Sequence, residues 1–170
     1  MFRAALALVA LLPALAWAQP DRAAVMDLLN QHDAAPTQTD FAALGDGVDA
    51  LLMAIADDTE VPSSRRGRAL TALQYYPTDA ARAFVEGHLA PESTGLLRRK
   101  AVYALAGGWG VSALAPLTAA LADHDVQVRI AAVTALAGLE SAEATAALTA
   151  RLEVETVDAV KLALGKVVGK

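Results

Sequence analysis

The sequence predicts an all-α chain folded as an α–α superhelix, a solenoid of about four stacked helix pairs. Three observations predict it. Alanine and leucine, both strong helix formers, are the commonest residues, and β-branched residues are in the minority. Apolar residues recur at spacings of three and four, the period of one helix face. Finally, Arg98-Arg99-Lys100-Ala101-Val102-Tyr103-Ala104-Leu105-Ala106-Gly107 returns as Arg129-Ile130-Ala131-Ala132-Val133-Thr134-Ala135-Leu136-Ala137-Gly138. Seven of those ten positions are identical at an offset of about 31 residues, a period that belongs to stacked repeats.

The first element is an export segment. Residues 1–18 carry one base, Arg3, an apolar run from Ala4 to Leu15 broken only by Pro13, and the small-x-small end Ala16-Trp17-Ala18. These are the parts of a signal peptide, with cleavage expected between Ala18 and Gln19. The run is shorter than the roughly 20 apolar residues a bilayer span needs. Loss of Arg3 takes the net charge from −5 to −6. Gln19 stands where a lipoprotein needs a cysteine, so no lipid anchor is expected.

Residues 19–45 then read as an N-terminal capping helix, Arg22 to Asn30, and a loose connection containing Pro36. From residue 46 to 170 the repeats follow. Arg66, Ala69, Ala72 and Leu73 form an earlier copy of the Arg98 segment, and residues 157–165 a worn later one. After each copy comes a second helical pattern, as in Val111, Leu114, Leu117 and Leu121, or Ala144, Ala147, Leu148 and Leu152. Val48, Leu51, Leu52 and Ile55 make the same pattern before the first copy, and Ala81, Phe84, Val85 and Leu89 after it. Gly, Pro, Asp and Ser clusters punctuate the helices, at Tyr76-Pro77 and Glu140-Ser141 for example, and Gly107-Gly108-Trp109-Gly110 is expected to be a connecting turn. Two short helices cannot bury both their faces, so such units stack in rows. Ala101, Ala104, Ala132 and Ala135 would let neighbours approach while Leu105, Leu117, Leu136 and Leu148 fill between them. Pro116 falls early in its helix, where a missing backbone donor is tolerated.

Period and pattern resemble HEAT repeats, in particular the short HEAT-like repeats of phycobilin lyase subunits. The resemblance rests on Asp125-Val126-Gln127-Val128-Arg129-Ile130-Ala131-Ala132-Val133-Thr134-Ala135-Leu136-Ala137-Gly138-Leu139. This fits the family pattern Asp-x-x-Val-Arg-x-x-Ala-x-x-Ala-Leu-Gly-x-Leu, except that Ala137 precedes the glycine. It is closest over residues 95–152, fair over 46–94 and weak at both ends. The signatures of tetratricopeptide and ankyrin repeats are missing. The resemblance implies that Arg66, Arg98 and Arg129 pair with aspartates along the stack and that Asp125 caps its helix and faces an arginine. It also implies that the second helices line a concave binding surface.

Chemistry-bearing patterns are scarce. Zero cysteine excludes disulfides, thiolate metal centres and a cysteine nucleophile. His32, His88 and His124 lie far apart, and no His-Glu-x-x-His, phosphate-cradling loop or Gly-x-Ser-x-Gly occurs. Asp123-His124-Asp125 groups three ligand-capable side chains, but helix capping accounts for it better than a metal does. No enzyme activity, cofactor or metal is therefore expected. Arg65, Arg68, Arg99 and Lys100 are basic beyond the expected arginine ladder, yet a net −6 argues against a nucleic-acid partner.

The binding residues expected from the sequence are Tyr75, Tyr76 and Trp109, with Arg82 and Glu86. The three aromatics fall in equivalent turns one repeat apart, which stacking would bring to one edge, and Tyr and Trp are frequent interface anchors. Arg82 and Glu86 belong, with Asp79, Thr118, Glu143, Thr145 and Thr149, to the polar positions of the second helices. Sparse and mixed in sign, they suit a shallow protein-binding surface better than a small-molecule pocket. The expectation is a periplasmic or secreted scaffold or adaptor that binds another protein, with no membrane span. Its rivals are an accessory subunit of a lyase-like enzyme and a self-associating envelope protein.

Overall fold

Helix pairs stack in two layers in the computed structural model, which describes residues 20–31 and 35–169. The expected signal segment lies outside the described residues. The helices are α1 (Arg22–Asn30), α2 (Gln38–Ala42), α3 (Val48–Asp57), α4 (Ser63–Ala72), α5 (Asp79–Gly87), α6 (Gly95–Trp109), α7 (Leu114–Ala120), α8 (Val126–Ala137), α9 (Ala142–Val154) and α10 (Asp158–Val168). Single 3₁₀ turns, Leu73–Tyr75 and Gly110–Ala113, follow α4 and α6. No strand occurs among the described residues, so the all-α expectation holds.

One layer is the row α1, α4, α6, α8 and α10, each packed on the next. The other is α3, α5, α7 and α9, each packed on the first-layer helix that follows it in the chain. The layers differ because first-layer helices have neighbours on three sides. α8 buries Val128, Arg129, Ala131, Ala132, Val133, Ala135 and Leu136, whereas α9 buries only Ala144 and Leu148. Ala101, Ala104 and Ala132 are fully buried between adjacent rods, where any larger side chain would push them apart. Each wholly buried leucine, such as Leu105 or Leu117, contributes about 1.5–3 kcal/mol. α1 extends this row by packing on α4.

Helix starts follow capping chemistry. Thr78, Thr94, Asp125 and Ser141 each accept a backbone N–H from the first turn of their helix, and Thr37 forms a reciprocal capping box with Asp40 at α2. The bond from the Thr37 amide holds the Asp40 carboxyl below its ordinary value. Pro116 sits in the first turn of α7, where its missing donor is harmless.

One turn differs from its sequence reading. Gly107, Gly108 and Trp109 form the last turn of α6, and the chain breaks at Gly110, whose φ is 53°. Gly107 and Gly108 are small because α6 presses on the preceding turn. A Cβ on Gly108 would lie 3.0 Å from the Gln74 Cα. The same break divides Gly95–Ala120, a run long and apolar enough by composition to cross a membrane, into α6 and α7.

Candidate functional site

The strongest polar feature is a ladder of arginines at the starts of first-layer helices. Arg98 donates Nε and Nη2 to the two carboxylate oxygens of Asp123, at 2.8 and 2.9 Å, and Nη1 to the Ser93 carbonyl at 2.5 Å. Arg129 donates to both oxygens of Glu155, at 3.1 and 3.4 Å, and to the Asp123 carbonyl at 2.7 Å. Both guanidiniums are buried and both are matched by a carboxylate in the connection one repeat further on. Burial alone would push the Asp123 carboxyl up, but the Arg98 guanidinium and the Asp125 amide hold it below its ordinary value. Burial opposes the Glu155 charge too, yet the Val157 amide, Arg151, Arg129 and the Thr156 amide bring its pKa down to about 2. Glu155 also accepts the Val157 and Thr156 amides, at 2.9 and 3.0 Å, in the connection just before α10.

The ladder departs from the expected one in three ways. Asp123, not Asp125, faces the arginine; Asp125 caps α8 through the Gln127 amide and lies against Gly95. The second rung ends on a glutamate. Arg66, at the equivalent position of α4, reaches only the Ala56 carbonyl among the described residues, at 2.7 Å. Arg65 and Arg68, which were surplus in the sequence reading, hold the end of α1. Arg65 donates to the Asn30 side chain, and Arg68 donates to the Leu29 and Gln31 carbonyls at 2.9 and 2.6 Å. No group of three His, Asp or Glu side chains placed to hold a metal occurs among the described residues.

The three aromatics expected at one edge are half-buried, and Trp109 ends α6 instead of standing in a turn. Tyr75, Tyr76 and Trp109 all pack against the core. The Tyr75 ring sits 6.1 Å from that of Phe41 and its hydroxyl donates to the Pro36 carbonyl at 3.2 Å. The Tyr76 hydroxyl is buried with no hydrogen-bond partner among the described residues, and burial together with Asp49 pushes its pKa up. Arg82 pairs with Glu86 at 2.8 Å and donates to the Ser112 carbonyl at 2.9 Å, which ties α5 to the next turn along. Among the described aromatic residues, Tyr103 on α6 is the exposed one, at 37%. Sequence reasoning passed over it because it sits mid-helix.

The second-layer helices turn small residues outward. Ala80 and Ala83 of α5, Ala115 and Ala119 of α7, and Ala146 and Ala150 of α9 are exposed. The hydroxyls of Thr145 and Thr149 are turned back onto carbonyls of their own chain, those of Ser141 and Thr145. A cavity of about 270 Å³ opens at the other end of the molecule, beside α1, α2, α4 and α6. Leu29, Phe41, Ala72 and Tyr75 line it together with Arg68 and Lys100. These residues are too far apart in sequence for any motif to announce the cavity.

Two layers of stacked helix pairs, tied by arginines to the next repeat, define an α-solenoid repeat protein. A family model of HEAT repeats matches residues 86–168 and supports a HEAT-repeat assignment for that stretch. HEAT repeats generally mediate protein–protein interaction and are typically non-catalytic. No curated protein matches the chain.

Proposed function

We propose that the chain is an exported, non-catalytic scaffold that binds another protein across the exposed face of α5, α7 and α9, in the periplasm or outside the cell. The observation that carries this reading is the outward line of alanines. Alanine loses almost no side-chain entropy when ordered, so a partner meets a broad, shallow face with little relief to immobilise. Arg82, Glu86 and Glu143 supply sparse charges of both signs around it. The residues of 1–18 support export, and their removal leaves a chain of net −6.

The test is affinity capture of the mature chain from its own envelope fraction, beside an Ala83→Arg, Ala119→Arg double variant. Both positions are exposed, so the variant should keep its helical circular dichroism while losing its partner. Unchanged recovery would remove this face from consideration. Sequencing of the exported protein should begin at Gln19; an intact Met1 would defeat the export half of the proposal. Light scattering separates the rival reading, because self-association would appear as a mass that rises with concentration in the absence of any partner.

A further inference from the structure

The cavity beside α1 has a charge that its described walls do not answer. Three of its polar side chains are engaged within the fold. Arg68 is bound to the carbonyls at the end of α1, Thr71 donates to the Gly67 carbonyl, and Tyr75 donates to the Pro36 carbonyl. Lys100, the other cation of the lining, is not. No hydrogen bond or ion pair engages its ammonium among the described residues, and no carboxylate stands among the described lining residues. Its stem runs close along α4: a Cβ on Gly67 would lie 3.0 Å from the Lys100 Cγ. Partial burial and the like charges of Arg99 and Arg68 keep its pKa below the usual lysine value. A partly desolvated cation beside two others favours an incoming anion.

Part of the wall is apolar, formed by Leu29, Ala35, Pro36, Phe41 and Ala72. Leu29 and Phe41 are each 1% exposed, and the Tyr75 ring continues the wall beside Phe41. At about 270 Å³ the space lies at the small end of ligand sites, which start near 300 Å³. We propose that this cavity binds a small carboxylate carrying one apolar or aromatic group, the anion meeting Lys100 and the tail lying against Phe41 and Tyr75. The carboxylate has two sources with the same chemistry, a free organic acid or the C-terminal residue of a polypeptide. This site is separate from the α5–α7–α9 face, and either assignment can fail without the other.

Titration of the mature chain with phenylacetate and with phenylacetamide, followed by calorimetry and by the tyrosine ring resonances, tests the proposal. The acid should bind at least about tenfold more tightly than the amide, which has the same ring and no charge. It should also shift the Tyr75 resonances. Lys100→Met keeps the stem against Gly67 and removes the charge, and should weaken the acid about tenfold; Lys100→Arg should retain binding. A short peptide ending in phenylalanine, with free or amidated C-terminus, assigns the source. Tighter binding of the free-ended peptide than of phenylacetate points to a polypeptide terminus, and the reverse to a free acid. Equal binding of acid and amide, full binding by Lys100→Met, or no binding of either acid at 10 mM, about a hundredfold above a 0.1 mM Kd, would overturn the site.

Discussion

Arg66 and Arg129 hold the same place in the repeat and are used differently. Arg129 reaches back to a carbonyl of the preceding connection and forward to a carboxylate 26 residues later, as Arg98 does to one 25 residues later. Among the described residues Arg66 makes only the backward bond, to Ala56. The carboxylate-closed rungs therefore tie each first-layer helix to the repeat beyond it, across α6, α8 and the start of α10. At the N-terminal end the stack depends on apolar packing and on arginines that cap α1. The HEAT-repeat match at residues 86–168 covers both complete rungs and excludes Arg66.

Removing Glu155 should give the largest effect, because it leaves Arg129 buried and Arg151 unpaired, and strips the Thr156 and Val157 amides of their acceptor. Glu155→Ala is expected to lower unfolding free energy by about 3–5 kcal/mol, the range for stripping one partner from a buried pair. Urea unfolding measures it. A loss under about 1 kcal/mol would show that the rung is no more than the median surface ion pair.

Acid should find the same rung. The folded Glu155 carboxyl titrates at about 2, against an ordinary 4.5, so the folded state holds its proton less tightly than the unfolded chain does. Its contribution is complete above pH 4.5, declines as pH falls, and is gone once pH drops through about 2. Thermal melts of wild type and Glu155→Ala across that window should converge at the acid end. Parallel curves would break the link between this carboxylate and the stability of α10.

The boundary between the two regions is the contact of α6 with the turn after α4, and Gly108→Ala tests it. The added methyl would lie 3.0 Å from the Gln74 Cα and 3.1 Å from its carbonyl oxygen, and backbone cannot swing aside as a long side chain can. Overpacking of about 1–3 kcal/mol should outweigh the roughly 1 kcal/mol that alanine gains over glycine in a helix. A more stable variant would mean the turn yields. Gly87→Ala is the control, since nothing lies within 4 Å of the added atom.

These details separate what the sequence could say from what it could not. Spacing alone located α1 to its observed ends, placed Pro116 in a first turn and picked Arg66, Arg98 and Arg129 as equivalent, because local periodicity and repetition encode those facts. The acid partners were not legible. Asp123 and Asp125 stand two residues apart and either could cap or pair; only the packed connection decides that Asp123 meets Arg98. Gly107-Gly108 looked like a turn because glycine ends helices more often than it thins them for a neighbour. The cavity was out of reach for a simpler reason. Its wall joins Leu29, Phe41, Tyr75 and Lys100, and no pattern of a single helix spans them.

The smallest expected effect closes the comparison from its other end. Arg66→Met keeps much of the apolar stem and removes one hydrogen bond to the Ala56 carbonyl, so the loss should be about 0.5–1.5 kcal/mol. No carboxylate is left stranded, which is why the value should fall well below that of Glu155→Ala. The contrast is sharper in Arg98→Met. There the same truncation strands Asp123, whose carboxyl is nine-tenths covered at 11% exposure, and removes both of its guanidinium bonds. If the two arginine variants melt alike, the forward bond adds nothing to the backward one, and the distinction between complete and incomplete rungs collapses. If Arg98→Met is the more damaging by about 1 kcal/mol or more, the carboxylate is what turns a helix cap into a tie between repeats.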